Sequence, residues 1–285
     1  MRAQGTNFAS EFYLTANGKT LSLKTPVVMG IVNLTPDSFY DGGMLLTEKD
    51  LLTQAEKHIQ DGAAIIDVGA VSTKPNAAAV SEEEELKRLL PALKVLRKTF
   101  PEVFISVDTY RSTLAQAAAE EGADIINDIS GGTFDEKMFE VVGKINLPYV
   151  LMHIQGTPQT MQQNPTYNNV VDDVFDFLTK QLKAAQQSGI KQLLIDVGFG
   201  FGKTTEHNYE LLAGLKRFEA MGFPLLVGVS RKGMIHKPLN INPKEALNGT
   251  TVINTIALLS GVNILRVHDV KEAVQAIRLV YQYYS

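Results

Sequence analysis

The protein has 285 residues, a formal net charge of -4, a pI near 5.8 and no cysteine. Its length is typical of a single α/β barrel, so we expect one domain that spans residues 1–285. Without cysteine the chain forms neither disulfides nor thiolate metal sites and suits a reducing cytoplasm, while its acidic balance argues against a nucleic-acid partner and for small-molecule ligands.

We expect no targeting signal in the N-terminal segment, because MRAQGTNFASEF lacks a basic stretch followed by an apolar one. No later run reaches the ~18 apolar residues that span a bilayer, so we expect no membrane association. The next segment, FYLTANGKTLSL, alternates apolar and polar residues around Asn17-Gly18. This pattern predicts an antiparallel β-hairpin over residues 11–24.

From residue 27 onward, short β-branched apolar runs alternate with amphipathic helical segments, as is typical of a parallel sheet built from βα units. The predicted strands are 27–32, 64–68, 103–107, 124–127, 148–152, 192–197, 224–229 and 263–267. Eight such units over about 250 residues predict a (β/α)8 TIM barrel that spans residues 27–282. An open doubly wound sheet is the alternative, but no glycine-rich turn follows the first strand.

Two motifs resemble functional signatures that their context argues against. GFGFGKT, residues 198–204, looks like a phosphate loop, but Val197 stands where G-x-x-x-x-G-K-T needs its first glycine. We interpret it as a flexible loop after the sixth barrel strand, whose Phe201 can face a ligand. The acidic run SEEEE, residues 81–85, could suggest a metal site. We interpret it instead as a solvated helix cap in which Ser81 and Glu84 form a capping box.

Polar residues stand where each predicted barrel strand ends, at Asn33, Asp67, Asp108, Asn127, His153, Asp196, Ser230 with Arg231 and Lys232, and Arg266 with His268. One polar strand end is usually an ordinary loop start or helix cap. Eight in succession indicate a site, because the C-terminal strand ends of a TIM barrel meet at the face that carries the active site.

These strand ends divide by charge into two groups. Asp108, Asn127 and Asp196 can accept hydrogen bonds from the N–H edge of a guanidine-like heterocycle. The last two strands contribute the cationic group, which indicates an anionic ligand such as phosphate: Arg231, Lys232, Arg266 and His268. Asn33 closes the barrel beside that group, and an amide oxygen together with substrate phosphates is a ligand set that suits Mg²⁺.

These residues fall within a series of separated motifs. In chain order they are MGIVNLTPDSFYDGG, DVGAVSTKP followed by VSEEEELKRLLP, ISVDT, INDISGG, LMHIQGTPQTM, DVGFGFGKT, VGVSRKGM and LRVHDV. On these motifs the chain resembles the dihydropteroate synthase family of the folate pathway from about residue 28 to 280. The resemblance implies a TIM-barrel transferase, usually homodimeric and a sulfonamide target, that joins 6-hydroxymethyl-7,8-dihydropterin diphosphate to 4-aminobenzoate and releases diphosphate with Mg²⁺ bound.

The resemblance also implies roles for individual residues. Those that would hold the pterin are Asp108, Asn127, Ile129, Met152, Asp196 and Lys232. The diphosphate would be bound by Asn33, Lys74, Arg266 and His268, with Asn33 also a ligand of Mg²⁺. The aminobenzoate pocket would consist of Phe39, Thr73, Pro75, Phe201, Ser230 and Lys232. The catalytic residues would be Asp108, Asp196, Lys232, Arg266 and His268, acting in an SN1-like substitution through a pterin cation.

The chain departs from the family pattern in its second barrel loop. The family usually has S-T-R-P-G after a glutamate, whereas this chain reads Val71-Ser72-Thr73-Lys74-Pro75-Asn76. Lys74 keeps the positive charge but lacks the bidentate fork of arginine. Val197 stands where the family commonly has proline. We expect altered loop closure with the fold retained.

Two other functions remain open at this point. A barrel that passes a methyl group from methyltetrahydrofolate could share the acid and amide pterin pocket, but it would not need the cationic group around Arg266. A degenerate pterin-binding barrel without synthase activity is the non-enzymatic alternative. Product formation from both substrates distinguishes all three.

Overall fold

Eight parallel strands close into a barrel, accompanied by a two-stranded antiparallel hairpin. The computed structural model describes residues 12–34, 47–71 and 80–284. The hairpin strands are β1 (Tyr13–Ala16) and β2 (Lys19–Ser22). The barrel strands are β3 (Val27–Asn33), β4 (Ile65–Gly69), β5 (Phe104–Asp108), β6 (Ile125–Asp128), β7 (Tyr149–Met152), β8 (Leu193–Asp196), β9 (Leu225–Val227) and β10 (Ile264–Val267). The predicted (β/α)8 TIM barrel with an N-terminal hairpin is confirmed.

Helices connect the strands and form the outer layer. In the described part of the chain, the α-helices are α1 (Glu48–Gln60), α2 (Glu82–Thr99), α3 (Ser112–Glu120), α4 (Met138–Ile145), α5 (Val170–Gln187), α6 (Thr205–Ala213), α7 (Gly233–Leu239), α8 (Leu247–Leu259) and α9 (Val270–Tyr284). Short 3-10 helices cover Leu215–Met221 and Pro243–Glu245. Of the described helices, none is both long and apolar enough to cross a membrane.

The barrel strands lie between the barrel interior and the surrounding helices. Every residue of β4, β5, β6, β7, β8 and β9 is buried, which explains why the sequence shows continuous apolar runs rather than alternation. The ring closes where β10 pairs in parallel with β3, with Val267 opposite Gly30. All eight predicted strands are present, and their ends differ from the prediction by at most two residues.

A buried carboxylate helps to attach the hairpin to the N-terminal end of the barrel, together with hydrogen bonds between Thr15 and Gln192. Its turn residues Asn17 and Gly18 both have positive φ angles, of 50° and 76°, as a tight hairpin turn requires. Asp124 accepts hydrogen bonds from Asn17 Nδ2 at 3.0 Å and Lys19 Nζ at 2.7 Å, and it also pairs with Arg97. Two cations therefore share one buried acid at the end of the barrel opposite the strand C-termini.

The acidic start of α2 differs from the prediction. Ser81 caps the helix by accepting from the Glu84 amide at 3.2 Å, but the Glu84 carboxylate binds Arg88 Nε at 2.8 Å, so the predicted capping box is only half formed. Glu85 is buried and accepts from Arg111 Nη1 at 2.7 Å. The acidic run is therefore not a uniformly solvated cap, because one of its members faces the barrel.

Candidate functional site at the barrel mouth

The C-terminal strand ends bring together the charged residues that the sequence groups by type. Asp108 ends β5 and Arg266 lies on β10, two strands that are separated by β3 and β4 in the barrel. Arg266 donates from Nη2 to Asp108 Oδ2 at 2.8 Å and from Nε to Asp67 Oδ2 at 2.6 Å. These hydrogen bonds cross the barrel mouth, so the predicted diphosphate arginine and the predicted pterin carboxylate are direct partners.

Asp67 belongs to this cluster, although its strand-end position alone assigned it no role. It is fully buried, and its Oδ1 accepts from Ser106 Oγ at 2.6 Å. Asn127 Nδ2 lies 3.3 Å from Asp67 Oδ1 and 3.4 Å from Oδ2. Asp67 thus connects Arg266 with Asn127. The available signal was an acid inside the apolar run AIIDV, because a buried carboxylate requires hydrogen-bonding partners.

Asp196 and Lys232 occupy the opposite part of the mouth. Asp196 ends β8 and accepts from the Gly198 amide at 2.8 Å. Lys232 follows β9 and donates from Nζ to the Phe199 carbonyl at 2.7 Å. The same Nζ lies 4.5 Å from the centre of the Phe201 ring, within the range of a cation–π contact. The lysine is therefore held by the loop that follows β8.

Burial controls the ionisation of this cluster. Burial raises the pKa of Asp108, and the Arg266 charge opposes the rise. Burial likewise raises the pKa of Asp196, against the opposing charge of Lys232. For Lys232 burial works in the other direction and lowers the pKa to about 8, although Asp196 favours its charged form. Carboxylates held in such surroundings are suited to stabilising positive charge that develops on a ligand.

An apolar patch lies beside the charged cluster and is separate from the main core. It contains Ile129, Met152 and Phe201, all buried, together with Ile154 and Met161. Ile129 and Met152 are the two residues expected to pack against a pterin, and Phe201 is expected in the aminobenzoate pocket. The structure places all three in one cluster, where they can contact the flat face of an aromatic ligand.

The segments that follow β9 and β10 contribute a second pair of polar side chains, Ser230 and His268. Ser230 Oγ lies 3.0 Å from His268 Nδ1 and accepts from the His268 amide at 3.2 Å. Arg231 departs from expectation, because its guanidinium makes a two-point contact with Asp269, at 2.9 Å from Nε and 2.6 Å from Nη2. That ion pair removes Arg231 from the predicted group of anion-binding cations.

Asn33, the predicted magnesium ligand, ends β3 opposite Gly69 of β4 and is half-buried. Across residues 12–34, 47–71 and 80–284, no group of three or more His, Cys, Asp or Glu side chains could hold a metal ion. A metal bound by Asn33 would take its other oxygen ligands from substrate phosphates and water, which suits Mg²⁺. The predicted loop residues outside the described part are Phe39, Thr73, Lys74, Pro75 and Asn76.

The loop after β8, residues 198–203, is more tightly held than the flexible loop expected there. Lys203 is buried and donates from Nζ to the carbonyls of Gly198 at 2.8 Å and Phe201 at 3.1 Å. Val197, which stands where the family commonly has proline, is fully buried as well. The loop is therefore packed although it has valine at this position. His153 points to Lys203, with Nδ1 2.9 Å from Nζ, and joins this loop rather than the charged cluster.

Comparison with known proteins agrees with this geometry. The model of the pterin binding enzyme family matches residues 29–268. Dihydropteroate synthase of Escherichia coli strain K12 is 47% identical over 269 residues, which cover 94% of this chain and 95% of that protein. The Haemophilus influenzae dihydropteroate synthase is 45% identical over 259 residues, covering 90% and 94% of the two chains.

Solved structures resemble the whole barrel. The Yersinia pestis dihydropteroate synthase in complex with a sulfonamide drug superposes with a TM-score of 0.91 at 42% identity, covering 95% of this chain and 98% of that one. The Xanthomonas albilineans enzyme with 4-aminobenzoic acid gives a TM-score of 0.89 at 38% identity, covering 96% and 98%. The protein therefore belongs to the pterin-binding enzyme family that includes dihydropteroate synthases.

Proposed function

We propose that this protein is a dihydropteroate synthase, a transferase of folate biosynthesis that joins 6-hydroxymethyl-7,8-dihydropterin diphosphate to 4-aminobenzoate and releases diphosphate. The observation that carries the proposal is the barrel mouth itself. Buried Asp108, Asn127 and Asp196 lie in one site with the cations Arg266 and Lys232. A methyl-transfer barrel would need the acids and amide but has no use for the cations.

The pterin ring would lie against the acid and amide group. Asn127 and Asp196 offer polar atoms that match the donors and acceptors of a pterin edge, and Asp108 can accept from its N–H groups. Ile129 and Met152 would cover the face of the ring. Lys232 would add a donor for a carbonyl or ring nitrogen acceptor.

The diphosphate would lie towards β10 and β3. Arg266 and His268 would donate to its oxygens, with Lys74 completing the cationic group from the second loop. Asn33 would hold Mg²⁺, and the bound ion would neutralise charge on the departing diphosphate. His268 is an exposed residue at the mouth, although desolvation by the surrounding protein and the Arg266 charge lower the pKa of its ring.

The aminobenzoate would occupy the outer part of the mouth. Its aromatic ring would contact Phe201 and the aliphatic stem of Lys232, and Ser230 would face its carboxylate. The first two loops would complete the pocket through Phe39, Thr73 and Pro75.

The proposed reaction uses both the carboxylates and the cations of the mouth. The methylene carbon–oxygen bond breaks first, and the electron pair leaves with the diphosphate towards Arg266 and His268. The remaining pterin cation is stabilised by the carboxylates of Asp108 and Asp196, which lie in a buried site where charge interactions are strong. The aryl amine then forms the carbon–nitrogen bond and loses a proton, so no strong general base is required.

We further propose that the protein forms a homodimer through α8 and α9. Val252, Ile256 and Leu259 lie on one face of α8, and Leu279 and Tyr283 lie one turn apart on α9; all five are exposed. We call these residues the α8–α9 face. Helices of a soluble barrel normally turn apolar residues inward, and an exposed apolar face is typical of a contact between subunits. A cytoplasmic location stays a prediction from the lack of cysteine.

The proposed activity is tested by supplying the two substrates separately and together. The purified protein is incubated with the pterin diphosphate, 4-aminobenzoate or both, with Mg²⁺ or with EDTA, and dihydropteroate and diphosphate are quantified. We expect both products in equal amounts only when both substrates and Mg²⁺ are present. Pterin binding without any product would instead identify a binding protein.

A further inference from the structure

Lys203 is a buried lysine that the proposed reaction does not use. Only 2% of the residue is exposed, and its Nζ donates to Gly198 O at 2.8 Å and Phe201 O at 3.1 Å and lies 2.9 Å from His153 Nδ1. Burial lowers the pKa of Lys203 well below its usual value. Its three polar neighbours can satisfy either protonation state, because an ammonium donates three hydrogen bonds, whereas a neutral amine donates two to the carbonyls and accepts one from His153. These partners come from two loops, which follow β7 and β8.

These two loops meet without spare room. A Cβ atom placed on Gly198 would lie 1.8 Å from the His153 carbonyl oxygen, and one on Gly202 would lie 2.4 Å from the Gln155 carbonyl oxygen. Both glycines also have positive φ angles, of 71° and 64°. The backbone of residues 198–203 is therefore restricted to a narrow range of conformations. The hydrogen bonds of Lys203 to the Gly198 and Phe201 carbonyls stabilise that conformation.

This loop supplies the contacts that place Lys232 in the mouth. Its Phe199 carbonyl accepts from Lys232 Nζ at 2.7 Å, and its Phe201 ring lies 4.5 Å from the same atom. Both contacts are made by residues inside the segment that Lys203 closes. A change at Lys203 would therefore move the Phe201 ring and the Lys232 amine together.

We propose that Lys203 is a positioning residue for the aromatic amine substrate, acting through Phe201 and Lys232 and itself anchored by His153. It does not touch the substrate. Its hydrogen bonds hold the loop so that the Phe201 ring and the Lys232 stem form one wall of the aminobenzoate pocket. The inference rests on the proposed function, because that function assigns Phe201 and Lys232 to this pocket.

The test compares substrate constants in three variants. Lys203→Met keeps the length of the side chain and removes all three hydrogen bonds. We expect the KM for 4-aminobenzoate to rise at least tenfold. Pterin affinity, measured by pterin fluorescence, should fall by a clearly smaller factor, because Lys232 is only one of several proposed pterin partners and Asp108 and Asn127 are unaffected. His153→Phe keeps the ring contact with Phe177 and removes one hydrogen-bond partner of Lys203, so we expect a smaller rise of the same kind.

Thr204→Ala is the matched control. Thr204 is adjacent to Lys203 and caps α6 by accepting from the His207 amide, so its loss lowers Tm without touching the loop contacts. An unchanged KM for 4-aminobenzoate in both Lys203→Met and His153→Phe overturns the inference, as does a rise that Thr204→Ala reproduces. If Lys203→Met does not fold, His153→Phe alone decides. Phe201→Ala tests the pocket assignment separately, because an unchanged KM there contradicts the proposed site.

Discussion

At the barrel mouth, Asp67 and Asp108 share one guanidinium group. Asp67 binds Arg266 Nε at 2.6 Å and Asp108 binds Nη2 at 2.8 Å. Both acids favour the charged form of Arg266 and raise its pKa, although burial works in the opposite direction. Asp67 therefore keeps part of the positive charge away from Asp108, which leaves the Asp108 carboxylate able to receive a pterin.

Asp67→Asn is expected to lower kcat/KM for the pterin diphosphate at least tenfold, equivalent to about 1.4 kcal/mol of transition-state stabilisation. Without the Asp67 charge, the guanidinium of Arg266 has Asp108 as its remaining carboxylate partner at these distances and moves towards it. The pterin and the diphosphate then each lose a partner. Steady-state kinetics with the pterin diphosphate varied measure this effect.

The control for this substitution is Asp124→Asn at the opposite end of the barrel. Asp124 is also fully buried and also serves two cations, Lys19 and Arg97. Its replacement should destabilise the protein while leaving kcat/KM within about threefold. Equal kinetic losses in the two variants would mean that Asp67 acts only through stability.

Lys232 gives the site a pH dependence. Burial lowers its pKa from 10.5 to about 8, so about half of the free protein has lost this charge at pH 8. We expect pterin affinity to fall as pH rises through 8, and Lys232→Arg to move the fall to higher pH because a guanidinium stays charged. Affinity profiles that coincide for the two proteins would contradict this role.

The same shift has a consequence for stability with a definite sign. Because the folded-state pKa of Lys232 lies below its value of 10.5 in an unfolded chain, its charge destabilises the fold below about pH 8. That penalty decreases as pH rises from 8 towards 10.5. The fold thus tolerates an unfavourable, partly desolvated cation at the position where we expect the ligand to need a donor.

Residue type and strand-end position predicted many of the site residues. Which side chains form hydrogen bonds and ion pairs with one another became clear only from the structure. The sequence identifies Asp108, Asn127 and Asp196 as candidate acceptors because each follows an apolar run. It does not reveal that Arg266 reaches across two intervening strands or that Arg231 turns to Asp269. Those pairings depend on side-chain direction at the closed mouth, which linear spacing does not encode.

At the scale of elements, the loop after β8 packs against the loop after β7 and also contacts Lys232 in the proposed substrate site. Gly198→Ala and Gly18→Ala form a matched pair, because their φ angles are 71° and 76°, whereas only Gly198 lies against other backbone atoms. We expect Gly18→Ala to cost about 1 kcal/mol through backbone strain alone. Gly198→Ala should cost more and also raise the KM for 4-aminobenzoate.

Chemical denaturation and initial-rate kinetics on the two glycine variants measure these effects. Gly18→Ala should leave both KM values unchanged, since nothing lies within 4 Å of the added methyl group. Identical stability losses, with unchanged KM in both variants, would show that the close approach to His153 has no role in shaping the pocket.

Element identity was more predictable than element contacts. The apolar runs predicted all eight barrel strands because buried parallel strands are apolar on both faces, and Asn17-Gly18 predicted the hairpin through its turn geometry. The close packing of the loop after β8 was not predictable from the sequence. A glycine-rich segment suggests backbone flexibility when it is considered without its neighbours in the fold. Here the same glycines allow close packing that a buried Lys203 then fixes.

For the whole molecule, the α8–α9 face predicts the assembly state. We expect a particle of twice the 31.3 kDa chain mass, and Ile256→Glu should shift it to monomer by placing a charge in the apolar contact. Leu239→Glu is the control, because Leu239 is exposed on α7, outside this face. Sedimentation measures both, and a monomeric unmodified protein would contradict the proposed dimer.

We infer that the carboxylates and cations gathered at the barrel mouth together allow diphosphate to leave before the amine attacks. Positional isotope exchange tests this order of steps most directly. The pterin diphosphate carries heavy oxygen in the bridge between the methylene carbon and the first phosphorus, and it is incubated with enzyme and Mg²⁺ but no 4-aminobenzoate. We predict that phosphorus NMR detects the label moving to non-bridging positions. Label that stays in the bridge, while adding 4-aminobenzoate gives full turnover, would contradict it.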